Sequence, residues 1–387
     1  MPGMEEFEGI RPYRDEEVPG VLARLARDAD LQSGVGRYLF PRATRLLPQL
    51  GRLLGGRLLR RLASRLSTVR DVQLFLSGHM ETLIEETILD FSVGGIERLA
   101  AGTPYLFIST HRDIIMDTGL VNFAIHRAGH ATTRIAIGDN LLGKAYAADL
   151  MRLNKSFVIE RSVTGTKAVY RALNRTSAFI RASLESAESV WIAQREGRAK
   201  DGLDRTDPAL IKMLTLAWRK EAEDRGGLCG CINIVPVAIT YELDPCALRK
   251  ARELCITDLH GKYDKPDGED LSSIVEGMLG FKGRVHLHFG PPLEGGFDSP
   301  EALADAIDRE IVEGLKVFPT HVEAARQLGD KALPDTVPLD ARVQAAFQEQ
   351  ISACPTAQQS YLFQQYANLI RNKRLFGIGA REQADGY

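Results

Sequence analysis

The stretch Tyr105-Leu106-Phe107-Ile108-Ser109-Thr110-His111-Arg112-Asp113-Ile114-Ile115-Met116-Asp117 decides how this chain is read. Its first five residues are an apolar, strand-like run, and a helical stretch follows from Ile114 to Arg127. A histidine stands between the two, directly past the carboxyl end of the strand, with acidic residues two and six positions further on. An imidazole positioned by a carboxylate takes a proton from a hydroxyl at neutral pH.

Outward from this stretch the same alternation continues. Apolar runs at Thr133–Ile137, Phe157–Ile159, Val190–Ala193, Ile232–Thr240 and Val285–Phe289 are separated by helical stretches that include Lys167–Leu184 and Pro208–Ala222. Strand and helix in alternation argue for the α/β class, a sheet covered by helices with its chemistry on the strand-end loops. Three segments are expected: a helical, basic N-terminal region over residues 1–90, an α/β domain over 91–320 and a helical C-terminal extension over 321–387. Within them, a short amphipathic helix is expected at Val21–Ala29 and another helix at Pro300–Lys316. A Pro-containing connection at Leu333–Pro338 precedes a last helical section from Asp340 to Arg374, and the tail Gly377–Tyr387 is polar.

Composition excludes more than it selects. With 49 basic and 51 acidic residues the overall charge names no partner, and 44% hydrophobic content is ordinary for a globular chain with a sizeable core. The five cysteines form no disulfide framework, and Cys229-Gly-Cys231 with His260, His286 or His288 matches no standard zinc spacing. No metal is expected, and the thiols are expected to be free, as in a reducing cytosol. No window reaches the roughly 18–20 apolar residues of a membrane span, and Met1 to Glu6 lack the features of a secretory signal.

One segment has a strong local bias. Leu31 to Arg70 carries nine arginines and no acidic residue, with leucines between them spaced mostly at three or four. That pattern suits a helix lying in an anionic membrane interface, and equally a helix that buries its leucines on the α/β domain with the arginines solvated. Pro41, Pro48 and Gly55-Gly56 are expected to break it into pieces. Nucleic-acid binding is not expected, because no aromatic platform accompanies the arginines.

Three later blocks give the histidine a substrate. Ser156-Phe157-Val158-Ile159-Glu160-Arg161 ends an apolar strand on an arginine, whose rigid fork matches phosphate oxygens. Glu196-Gly197-Arg198, followed by Lys200, comes directly after the strand Val190–Ala193 and its glycine permits a tight turn. Ile234-Val235-Pro236-Val237-Ala238-Ile239-Thr240-Tyr241 is an apolar strand with an early proline. A serine hydrolase is not indicated, since no G-x-S-x-G elbow is present.

Together, over about residues 95 to 295, these blocks resemble the phospholipid/glycerol acyltransferase family. The resemblance implies a mixed β-sheet flanked by helices, with His111 as general base and a following aspartate that orients it. In the family's H-x4-D pattern the aspartate position falls on Met116, and Asp117 comes one residue later. On a helix that displacement turns a side chain by about 100°. Either the loop before the helix absorbs the extra residue and Asp117 serves, or Asp113 takes the orienting role. Arg161, Glu196, Gly197, Arg198 and Lys200 are implied to bind the phosphate-bearing acceptor, with Arg112 placed among them. No cofactor is implied; acyl-CoA or acyl carrier protein is the co-substrate. Lysophosphatidate is the first expected acceptor and glycerol 3-phosphate the second. The contrary expectation is a membrane-surface lipid-binding protein of the same fold without catalysis. The expected location is cytoplasmic, peripheral at the inner face of the cell membrane.

Overall fold

In a computed structural model of the protein, residues 4–379 are described. Met1-Pro2-Gly3 and, of the expected polar tail, residues 380–387 lie outside them. Two compact units emerge: a smaller one from Met1–His79 with Arg134–Phe179, and a larger one from Met80–Thr133 with Ile180–Tyr387. Among the described residues there are seven strands: β1 (Asp90–Gly94), β2 (Leu106–Ser109), β3 (Arg134–Gly138), β4 (Ser156–Ile159), β5 (Val190–Ala193), β6 (Ile234–Tyr241) and β7 (Arg284–Phe289). Six of them fall on the apolar runs. The strand β1 was not anticipated, because Asp90-Phe91-Ser92-Val93-Gly94 is too short and polar to stand out as a buried run.

In the larger unit the strands order as β1-β7-β6-β2-β5. β2 runs parallel to both β5 and β6, and β1 parallel to β7, whereas β6 and β7 are antiparallel. The result is a mixed sheet flanked by helices, as the α/β reading expects. Every residue of β2 and β6 is buried, which explains their unbroken apolar character: a strand covered on both faces has no polar side to show. Register then sets the site. Ser109, the last residue of β2, is level with Ala193, the last of β5, and with Val237 in β6. The residues after β2 and β5 therefore leave the sheet side by side, and β6 runs four residues further to Tyr241.

Several expected helices shift for identifiable reasons. The helix after His111 starts at Met116 rather than Ile114, and in the turn before it Asp113 Oδ1 accepts from the N–H groups of Ile115 and Met116. Pro208–Ala222 is two helices, Pro208–Thr215 and Arg219–Asp224, joined by a short 3-10 turn. Asp340–Arg374 is likewise two, Ala341–Ala353 and Thr356–Leu375. The break falls at Cys354, which is extended as a residue before proline tends to be. Helices Ala247–His260 and Glu269–Leu279, between β6 and β7, were not anticipated. Residues beyond 320 share the larger unit's core: Leu362, Tyr366 and Ile370 pack with Ala251, Val322 and Phe347.

The smaller unit holds the parallel pair β3–β4 and a cluster of Val18, Val21, Leu22, Leu25, Val72 and Leu153. Its first amphipathic helix is Val18–Leu25, with Ala29–Leu39 following. The arginine-rich segment breaks before Pro41 and Pro48 as expected, but not at Gly55-Gly56, which lie inside the continuous helix Pro48–Ala63. Those glycines are a contact surface. Gly36 of helix Ala29–Leu39 meets Gly51, and Gly55 meets the Gln32 carbonyl, so closely that a Cβ at Gly36 or Gly55 would overlap backbone. The small residues therefore face inward, while Leu46, Leu47, Leu50, Leu53 and Leu58 are exposed, Leu46 at 80%.

Candidate active site

The level ends of β2 and β5 bring two loops into register. The Gln194 N–H donates to the Ser109 carbonyl at 2.9 Å, and the Ala199 N–H donates to the carbonyl of His111 at 2.7 Å. The turn that carries Glu196, Gly197 and Arg198 is thus bonded directly to the backbone of the histidine. Gly197 sits at φ +75°, a left-handed conformation that glycine adopts without strain. From below, the Trp191 ring in β5 stands edge-on to the His111 imidazole, with centroids 5.8 Å apart.

The extra residue between histidine and aspartate is absorbed in the turn before the helix. His111 Nδ1 lies 3.0 Å from Asp117 Oδ2. The same oxygen accepts from the N–H groups of Arg112 at 2.6 Å and Asp113 at 2.9 Å. Residues 112 and 113 thus fold their backbone donors onto a carboxylate in the first turn of helix Met116–Arg127. Asp117 Oδ1 takes a fourth bond, from the Tyr241 hydroxyl at 2.7 Å. Burial alone would push the Asp117 carboxyl up, but hydrogen bonds and charge from His111, with help from Asp113 N–H and Tyr241, hold it below the usual carboxylate range. In the tautomer that carries its proton on Nδ1, an ionised Asp117 accepts that N–H as a hydrogen bond, and the lone pair of Nε2 is then the one that can take a proton. Asp117 is fully buried, whereas the His111 side chain keeps 17% of its surface.

Asp113 has different work. Its Oδ1 accepts from the N–H groups of Ile115 and Met116 where the helix begins, and helix Glu269–Leu279 crosses so close that a Cβ at Gly277 would overlap the carboxylate. Burial, and then the neighbouring Asp117 charge, push its pKa up.

Arg112 points away from the histidine into an ion pair with the buried Asp204, and its carbonyl accepts from Lys250 Nζ at 2.7 Å. Glu196 and Gly197 are exposed and Arg198 is half-buried. Lys200 Nζ pairs with Glu253 Oε1 at 2.5 Å. The larger unit therefore holds His111, Asp117, Arg112, Glu196, Gly197, Arg198 and Lys200. Arg161 belongs to the smaller unit, past the end of β4, where its N–H and that of Ser162 donate to Asp139 Oδ2. Among the described residues no cluster of three or more His, Cys, Asp or Glu side chains is arranged to hold a metal.

The sequence reading missed Tyr241, Asp204 and Lys250. Tyr241 had one legible signal: a phenol at the carboxyl end of an otherwise apolar strand, where a buried hydroxyl needs a partner. Asp204 and Lys250 had none.

No family model matches the chain, and no curated protein matches it. Among solved structures, the 1-acyl-sn-glycerophosphate (LPA) acyltransferase PlsC from Thermotoga maritima is similar. The TM-score is 0.40 and the identity 16%, over 73% of this chain and 92% of that one.

Proposed function

We propose that the protein is an O-acyltransferase that moves a fatty acyl group from a thioester, acyl-CoA or acyl carrier protein, to the free hydroxyl of a glycerol-phosphate acceptor. The first choice of acceptor is 1-acyl-sn-glycerol 3-phosphate, which would give phosphatidate. The observation that carries this reading is the His111–Asp117 pair at 3.0 Å with the Glu196-Gly197-Arg198 turn bonded to the histidine's own carbonyl. His111 Nε2 takes the hydroxyl proton as the oxygen attacks the thioester carbon. The tetrahedral intermediate collapses with loss of the C–S bond, and the departing thiolate takes the proton back from the imidazolium. Arg198 offers the acceptor phosphate a bidentate partner, so binding energy remote from the reacting oxygen fixes its geometry. Arg112 and Lys200, each with an acidic partner, act by shaping the loop that surrounds the phosphate.

The exposed leucines and arginines of residues 42–61 support a second element of the same reading. Their helices would lie on an anionic membrane surface, leucines in the acyl boundary and arginines at the headgroups. Among the described residues no helix is long and apolar enough to cross a membrane.

The test is thiol release from acyl-CoA with lysophosphatidate, glycerol 3-phosphate and a phosphate-free monoacylglycerol offered in parallel. Turnover with lysophosphatidate above the other two supports the reading. Preference for glycerol 3-phosphate moves the acceptor. No turnover with any acceptor, from either thioester carrier, leaves the lipid-binding alternative.

A further inference from the structure

We infer that Asn368, on the C-terminal helix Thr356–Leu375, is a positioning residue that holds the acceptor-binding loop in place over His111, with Gln365 beside it. The inference rests on the proposed function only for what the loop binds; the bracing itself is a matter of geometry.

The loop runs from Gln194 to Asp207, and its ends meet where the Asp207 N–H donates to the Gln194 carbonyl at 2.9 Å. It contains no helix or strand, so its shape depends on what its edges are tied to. One edge is tied to the histidine, through Ala199 N–H to His111 and through Asp204 to Arg112. The loop is also tied to the C-terminal helix. Asn368 Nδ2 donates to the Asp201 carbonyl at 2.7 Å, and Asn372 Nδ2 reaches the Asp204 carbonyl at 3.5 Å. Between them Gly202, at φ +75°, lies flush against the Gln365 carbonyl, where a Cβ would overlap it.

The brace is itself anchored. Gln365 Nε2 donates to the Ala247 carbonyl at 3.0 Å, at the start of helix Ala247–His260. That helix supplies Lys250 to the Arg112 carbonyl and Glu253 to Lys200. Two helices thus hold the loop, and both asparagine side chains are at least nine-tenths buried. A loop with four trypsin-sensitive residues, Arg195, Arg198, Lys200 and Arg205, would otherwise be the mobile part of the site.

Asn368→Ala and Gly202→Ala test the inference together. For Asn368→Ala the Michaelis constant for the phosphate-bearing acceptor should rise about tenfold, the worth of one buried hydrogen bond. The kcat should fall no more than about threefold, because His111 and Asp117 are untouched. Trypsin should cut between residues 195 and 205 faster in both variants than in wild type, under conditions where both stay folded by circular dichroism. A residue that merely supports the fold would lower the melting temperature and leave both the acceptor Michaelis constant and the cleavage pattern unchanged; that result would overturn the inference. If wild type transfers no acyl group, the functional reading fails by itself. The cleavage comparison then decides the brace: faster cutting of the loop upholds it and equal cutting overturns it.

Discussion

The turn around His111 and the arginine-rich helices near the N-terminus depart from ordinary burial in opposite directions. At the turn, charged groups are inside: Asp117 and Asp204 are fully buried, and each has a named cationic or hydrogen-bonding partner. In the helices, apolar groups are outside: Leu46 and Leu53 are exposed while Gly51, Gly55 and Gly56 are buried. Buried charge is costly unless it is paired. Exposed apolar surface has a smaller cost per residue and often marks an interaction. This chain accepts a stability cost at both places. In both places the departure coincides with a proposed contact, a reacting hydroxyl in one and a lipid surface in the other.

The largest effect should come from the turn. His111→Ala should lower acyl transfer by about 10²–10⁴-fold, the range for loss of a positioned base. Full activity in that variant would break the comparison at its first term. Tyr241→Phe removes the donor to Asp117 Oδ1 and leaves a buried carboxylate oxygen short of a partner, at a cost of about 1–3 kcal/mol. Denaturant unfolding of the purified variant reads this directly. No loss of stability would show that the fourth bond to Asp117 contributes nothing.

In the helices the sensitive positions are the glycines. Gly55→Leu should destabilise the smaller unit by about 1–3 kcal/mol through overpacking against the Gln32 backbone. Leu53→Ser on the same helix should leave thermal stability within about 0.5 kcal/mol, as for exposed positions generally. Equal loss in both would contradict the inward placement of the glycines. Flotation with vesicles sharpens the other half: Leu46→Ser with Leu53→Ser should weaken binding to anionic vesicles, and equal binding of wild type to neutral vesicles would remove the electrostatic part.

A smaller effect concerns pH. Burial, opposed by the hydrogen bond to the Tyr241 carbonyl, drives the pKa of His321 down to about 3. An unfolded histidine titrates near ~6.5. Between those values the unfolded chain binds more protons, so stability should fall as pH is lowered from 7 towards 4. Melting curves at pH 7, 5.5 and 4.5 check the direction. His321→Asn should flatten the slope; an unchanged slope would assign the acid sensitivity to other groups, such as the buried His286.

Much of the sheet was legible because β2 and β6 are covered on both faces and so read as unbroken apolar runs. The His111–Asp117 pair was legible as two residues but not as a contact. Helical geometry alone turns Asp117 away by about 100°; the contact depends on where the helix begins, and Asp113 Oδ1 holds the turn before it through the N–H groups of Ile115 and Met116. Tyr241 stands 124 residues from Asp117, and strand periodicity assigns it a face without naming what lies across it. The glycine contact between helices was misread because isolated Gly-Gly pairs signal a break, whereas a packed neighbour can hold such a helix together. Asp204 sits in a loop with no periodic signal and Lys250 is a charged residue on the buried face of a helix, and only the fold brings them to Arg112.

The central claim is that Asp117, one residue later than the resembled pattern asks, orients His111. Steady-state thiol release by Asp117→Asn beside Asp113→Asn tests it most directly. Asp117→Asn should cost about 10²-fold or more, since an amide in that place does not stabilise the imidazolium. Asp113→Asn should cost only a few-fold, because an asparagine side-chain oxygen can keep the bonds from Ile115 and Met116. The reverse order, with Asp113→Asn inactive and Asp117→Asn near wild type, would contradict the account.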